Sequence, residues 1–207
     1  MEVFENPAPG DGAEEKIKQL RGKALALGAT DAAVVPGQSI VVDESLAEKC
    51  SNPKCINYGL SKSCPPNVGG PEEMRKMLEK FSRALFFKIE VPSEVLFSGQ
   101  GREVFQLLHE TAAGIEQAAV KMGFSGARAY AGNSCKKLFC RDYAECNVLA
   151  GDGKCRNPQR ARPSMSGFGI NVAGLCEAAG WNMKGTEYKN GSETIKMSSV
   201  CGLVLIC

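Results

Sequence analysis

Apolar positions along the chain switch repeatedly between a helical and a strand-like spacing. Ile17, Leu20, Ala24 and Leu27 recur at helical intervals and Gly28 follows, which predicts a helix over 13–27. DAAVVP (31–36) and SIVVD (39–43) are short β-branched runs around a Pro-Gly turn, and predict two strands. Pro71 suits a first helical position, with Glu72 and Glu73 in the first turn and Met74, Met77, Leu78 and Phe81 as the buried stripe. RALFFKIEV (83–91) predicts a strand. Val104, Leu107, Leu108, Thr111, Ile115, Ala118, Ala119 and Met122 share one face of a longer helix over 101–122, ended by Gly123. GARAYA (126–131) predicts a further strand, residues near 167–179 a further helix, and ETIKMSS and GLVLIC two closing strands. The alternation predicts an α/β fold, a mixed sheet flanked by helices, built as a single domain over 1–207.

Two segments lack either periodicity and are rich in cysteine, one at 50–66 and one at 135–165. Each follows a predicted strand. Sites in open α/β sheets gather beyond strand ends, so the two loops are expected to meet on one side of the sheet.

Composition narrows the function classes. The chain is 43% hydrophobic and 23% charged with a formal net charge of +2, a balance that points to neither nucleic acid nor an anionic membrane. No apolar run approaches the roughly 20 residues of a membrane span. The N-terminal MEVFENPAPGDGAEE is acidic and has no apolar signal core, so a cytoplasmic protein is expected. Thiols stay reduced there, and seven of the ten cysteines crowd into the two loops. That clustering favours a metal or metal–sulfur centre over disulfides.

The second loop spaces Cys135, Cys140, Cys146 and Cys155 as C-x4-C-x5-C-x8-C. Four thiolates match one 4Fe–4S cluster or one zinc. Structural zinc sites favour paired tight hooks, and only the first gap is tight, so the long uneven gaps favour iron–sulfur. The first loop spaces Cys50, Cys55 and Cys64 as C-x4-C-x8-C and ends in Cys-Pro-Pro, where proline stiffens the chain beside a ligand. Its fourth ligand is either a distant thiol, from Cys176, Cys201 or Cys207, or an open position able to bind substrate. Those three thiols also fit small buried apolar positions.

Arg156, Arg160 and Arg162, with Lys136, Lys137 and Arg141, flank the second loop. Positive charge there would stabilise the reduced form of a cluster, bind a small anionic substrate, or attract a redox partner protein. His109 is the only histidine and sits beside the apolar face of its helix, where a solvated position is expected. One histidine supplies neither a histidine zinc site nor a Ser-His-Asp triad.

These motifs together resemble a family of predicted metal-binding proteins of unknown function from anaerobic bacteria and archaea. The resemblance rests on C-x4-C-x2-Tyr-Gly-x4-Cys-Pro-Pro at 50–66, on the cysteine run ending Cys155-Arg-x-Pro, on Arg162-Pro163-Ser164-Met165, and on Gly169-Ile170-Asn171-Val172. The family's second cysteine motif is usually tighter, and it usually carries Glu-Ala and Asp where Ser166-Gly167 and Asn171 stand here. The resemblance implies metal binding, as iron–sulfur, in an oxygen-poor cytosol, and implies no particular reaction. The residues leave three readings open: electron transfer through one or two 4Fe–4S clusters, an iron–sulfur enzyme with an open iron, or a structural zinc module.

Overall fold

A computed structural model describes residues 11–151, 153–182, 187–190 and 193–207. Its helices are α1 (Asp11–Ala26), α2 (Glu44–Glu48), α3 (Gly70–Leu78), α4 (Ser93–Phe97), α5 (Gly101–Lys121), α6 (Cys135–Phe139) and α7 (Val172–Ala178). Its strands are β1 (Asp31–Pro36), β2 (Arg83–Pro92), β3 (Arg128–Tyr130), β4 (Glu187–Asn190) and β5 (Glu193–Leu205). Short 3-10 turns cover Gly37–Ser39 and Met165–Phe168.

The strands form one sheet in the order β1-β2-β5-β3, with β4 paired to the early half of β5. Every strand pairing is antiparallel, so the expected mixed sheet is corrected to an open antiparallel one. Alternation of helices and strands constrains strand order weakly and strand direction not at all, which is why the mixed sheet read from it is wrong.

Side chains alternate across β2. Leu85, Phe87 and Ile89 join Ile17, Leu20 and Ala24 of α1 and Leu108, Ala112 and Ile115 of α5 in one core. Ala84 and Phe86 point the other way, into a second core with Met74, Met165, Phe168, Ile170 and Leu175. Helices therefore cover both faces of the sheet; of the predicted α5 stripe Val104, Leu108, Thr111, Ile115 and Ala119 are buried, while Leu107 is exposed and Ala112 and Ala113 are buried beside them.

Three expected elements differ. SIVVD is not a strand, because the chain turns at Gly37–Ser39 and only Val42 makes a ladder contact, with Ile170. The two closing strands are one continuous strand, β5, which pairs with β2, β3 and β4. The helix expected near 167–179 is split by Gly169, whose φ of 70° ends the Met165–Phe168 turn before α7 begins. Among the described residues no helix is long and apolar enough to cross a membrane.

Candidate metal centre

The two cysteine loops are rooted on one backbone seam. Asp43 N–H donates to the Gly169 carbonyl at 2.8 Å and Asn171 N–H to that of Val41 at 2.9 Å. Gly169 is required here, since a Cβ at its φ of +70° would stand 2.5 Å from the Asp43 carbonyl oxygen. Further along, Ala131 N–H donates to Pro163 O and Met165 N–H to Ala131 O, both at 2.9 Å, which pinches the second loop shut at its base. Ser164 N–H then donates to Ser63 O at 3.0 Å and ties that base to the first loop. The first loop does not leave a strand end as expected; it leaves α2, and the seam rather than the sheet brings it alongside the second.

His109 fastens the same region from beneath. It is fully buried, not solvated as its helical position suggested. Its Nε2 lies 2.9 Å from the Gly132 carbonyl and its Nδ1 accepts from Arg162 N–H at 3.1 Å. The pair fixes the Nε2–H tautomer of a neutral ring, and burial holds its pKa down at about 4.

The seven loop cysteines gather above this base. Cys64 and Cys135 are the most buried, at 5% and 8% exposed, and the Cys135 thiol donates to the Ser63 hydroxyl at 3.1 Å. Cys135, Cys140, Cys146 and Cys155 line one small cavity with Lys136, Asn157 and, from the first loop, Ser61. The second site is therefore walled partly by the first loop. Burial pushes the Cys50 thiol up, with Cys55 and Cys64 adding to it. Burial also pushes Cys135 up, against Ser63, and its neighbours include both Cys64 of the first loop and Cys155 of the second.

Donors converge on the sulfurs. Asn57 N–H points at Cys55 Sγ at 3.4 Å and Asn157 N–H at Cys155 Sγ at 3.3 Å. Asn157 Nδ2 also donates to Cys140 Sγ at 3.2 Å, joining two thiols of the quartet. Burial alone would raise Cys146, but the N–H groups of Lys62, Val148 and Leu149 and the charge of Arg156 outweigh it and hold that thiol below its ordinary range. The Cys-x-Asn step occurs at Cys50, Cys55 and Cys155, and places an N–H on the sulfur at the last two, while Asn52 N–H donates to Glu48 O instead.

The basic residues divide. Arg156 lines the cavity, lies over the Tyr143 ring at 4.1 Å and donates to Glu145 O and Asn147 Oδ1. Arg160 pairs with Glu110 and stacks on Phe139. Arg162 is committed to Glu116 at 2.5 Å and to the carbonyls of Pro158 and Ala161. Lys136, grouped by sequence with the surface cations, is buried and donates to the carbonyls of Cys140 and Tyr143. Cys176 and Cys201 neighbour each other and Lys88 in the second core, and Cys207 lies near Ser82.

A family model described as predicted metal-binding protein (DUF2284) matches residues 33–206. The chain belongs to this family. Its span takes in both loops, the seam and the sheet that carries them. No curated protein and no solved structure matches the chain. Among the described residues no three His, Cys, Asp or Glu side chains stand close enough together to share a single metal ion. The donor set nonetheless suits a thiolate-bound metal: seven soft thiols in two adjoined loops, with N–H donors on Cys55, Cys140, Cys146 and Cys155 and the charge of Arg156 beside Cys146.

Proposed function

We propose that this member of the family is an iron–sulfur protein that carries electrons, holding one or two 4Fe–4S clusters on Cys50, Cys55 and Cys64 and on Cys135, Cys140, Cys146 and Cys155. The observation that carries the reading is the convergence of N–H donors on the sulfurs lining one cavity. Hydrogen bonds to sulfur and nearby positive charge are the protein's means of setting a cluster's potential. A single zinc ion needs its four sulfurs at about 2.3 Å from one point. The long, uneven gaps between the loop cysteines suit a cuboidal cluster, which offers each thiolate its own iron. When bound, such a cluster would supply one-electron exchange; the chain supplies the thiolates, the N–H donors and the charge of Arg156.

A second reading, an enzyme with an open iron, draws on the count of thiols. The first loop supplies three, and Cys176, Cys201 and Cys207 lie among other neighbours. A 4Fe–4S cluster held by three thiolates would leave one iron with a position free for substrate.

Metal and sulfide analysis of protein prepared without oxygen tests both, with Cys64→Ala and Cys146→Ala alongside. Separate losses of about four irons from each variant fit two 4Fe–4S centres. Loss of the same irons from both fits one shared centre. Stoichiometric zinc without sulfide overturns the proposal in favour of a zinc module. A change in the cluster spectrum on adding a small anionic substrate would favour the enzyme.

A further inference from the structure

We infer that the face formed by the two cysteine loops is a docking surface for an acidic electron-carrier protein. The inference rests on the electron-transfer reading, and names its partner by charge.

The chain is nearly neutral as a whole, but its charge is sorted. Ten of its 25 Lys and Arg, against three of its 23 Asp and Glu, fall within 49–66 and 133–162. These two segments carry a formal +7, while the whole chain carries +2 and the remainder therefore −5. Bound metal and its thiolates would offset part of that excess without moving the side chains that produce it.

The excess is at the surface. Arg160 and Arg162 are spent on Glu110 and Glu116 of α5, and Arg141 on Asp142. Lys49, Lys54, Lys62, Lys137, Lys154 and Arg156 are exposed and form no ion pair among the described residues. Three apolar side chains stand out among them, with Ile56 82%, Tyr143 51% and Leu149 42% exposed. Cations interleaved with a few apolar contacts, around a redox centre, are the anatomy of a short-lived, electrostatically steered complex. Cys155, in the second of these loops, is exposed, so electrons would have a short exit there.

Nucleic acid fits less well. The ring faces a base would stack on are occupied: Arg156 covers Tyr143, and Lys54 sits 5.6 Å from the Tyr58 centroid. The one helix within the second loop, α6, has five residues, too few to read a groove. The acidic remainder of the chain would also repel a long polyanion passing the face.

The test uses protein prepared without oxygen, its iron content recorded, and a small acidic flavodoxin as probe. At low salt the wild-type protein is expected to bind it in a strongly salt-dependent way. Lys54→Glu, Lys62→Glu, Lys137→Glu and Lys154→Glu combined should slow association at least tenfold, and Lys18→Glu with Lys23→Glu on α1 should change it less than about twofold. Absence of salt-dependent binding, an equal loss in the α1 variant, or stronger binding to duplex DNA or to phosphatidylserine–phosphatidylcholine vesicles overturns the inference. Binding does not require iron to be read. Protein that lacks iron yet docks would count against the electron-transfer reading alone, and iron-loaded protein that ignores the acidic probe against the docking inference alone.

Discussion

His109 and Arg162 meet through a single hydrogen bond, from the Arg162 backbone N–H to His109 Nδ1 at 3.1 Å, and it closes the base of the cysteine-rich loop. The other ring nitrogen holds Gly132, near the point where that loop departs. One imidazole on α5 thus clamps both ends of a segment about thirty residues long. Replacing it with alanine leaves a cavity and two buried backbone groups without partners. His109→Ala should cost about 2–4 kcal/mol of stability. It should also speed alkylation of Cys135 and Cys140 in metal-free protein, read by mass spectrometry.

The same ring makes stability depend on pH. Its pKa is held near 4 in the fold, against 6.5 when exposed. Between those values the unfolded chain binds a proton that the folded one refuses, so stability is lost as pH falls from about 6.5 toward 4. The slope is about 1.4 kcal/mol per pH unit, and the full loss about 3 kcal/mol. Denaturant midpoints for wild type and His109→Gln, compared across that range, should differ by this slope, and parallel curves would refute it.

Gly169 is where the seam admits no side chain. Gly169→Ala must hold a positive φ and push the Asp43 carbonyl aside. A loss of about 2 kcal/mol or more is expected. On the proposed two-loop reading the substitution should lower the metal content of both loops, because the seam joins them, whereas Gly22→Ala on α1, at an ordinary φ with nothing within 4 Å, should not.

Asn157 joins Cys140 and Cys155 through its side chain and backbone. Asn157→Ala removes only the side-chain bond to Cys140. Metal affinity should drop roughly 10-fold or more, as for other residues that orient a ligand. On the proposed iron–sulfur reading the reduction potential should move downward, since the reduced, more negative state would lose a donor. Unchanged affinity and potential would mark Asn157 as a loop-shaping residue only.

Thiol reactivity should follow the local environment. In metal-free protein near neutral pH, Cys146 is expected to alkylate before Cys50 and Cys135, because N–H donors and Arg156 favour its thiolate while burial suppresses the other two. Time-resolved peptide mapping gives the order directly.

Local pattern carried much of this. The α5 stripe and the RALFFKIEV strand rest on many consecutive side chains that agree with one period, and they stand where periodicity puts them. Clustering of Cys, Pro, Gly and Asn marked both loops, because such stretches have no buried stripe of their own. What the pattern missed is non-local. Strand direction depends on which strands meet 100 residues apart, as β2 and β5 do. The burial of His109 and Lys136 depends on carbonyls supplied by other segments, and polar side chains carry no period that announces such a partner. Cys176 and Cys201 read as small buried residues and lie in the second core, where Lys88 beside them is the feature no spacing revealed.

The single strand β5 bonds to β2, β3 and β4, so the sheet has no centre until that strand exists. During synthesis, all seven loop cysteines emerge well before it does. For that interval they hang from a nascent chain whose scaffold is half built, open to oxidation and to whatever metal arrives first. On the proposed reading, the order of residues along the polypeptide would make the timing of metal delivery matter alongside the ligand set.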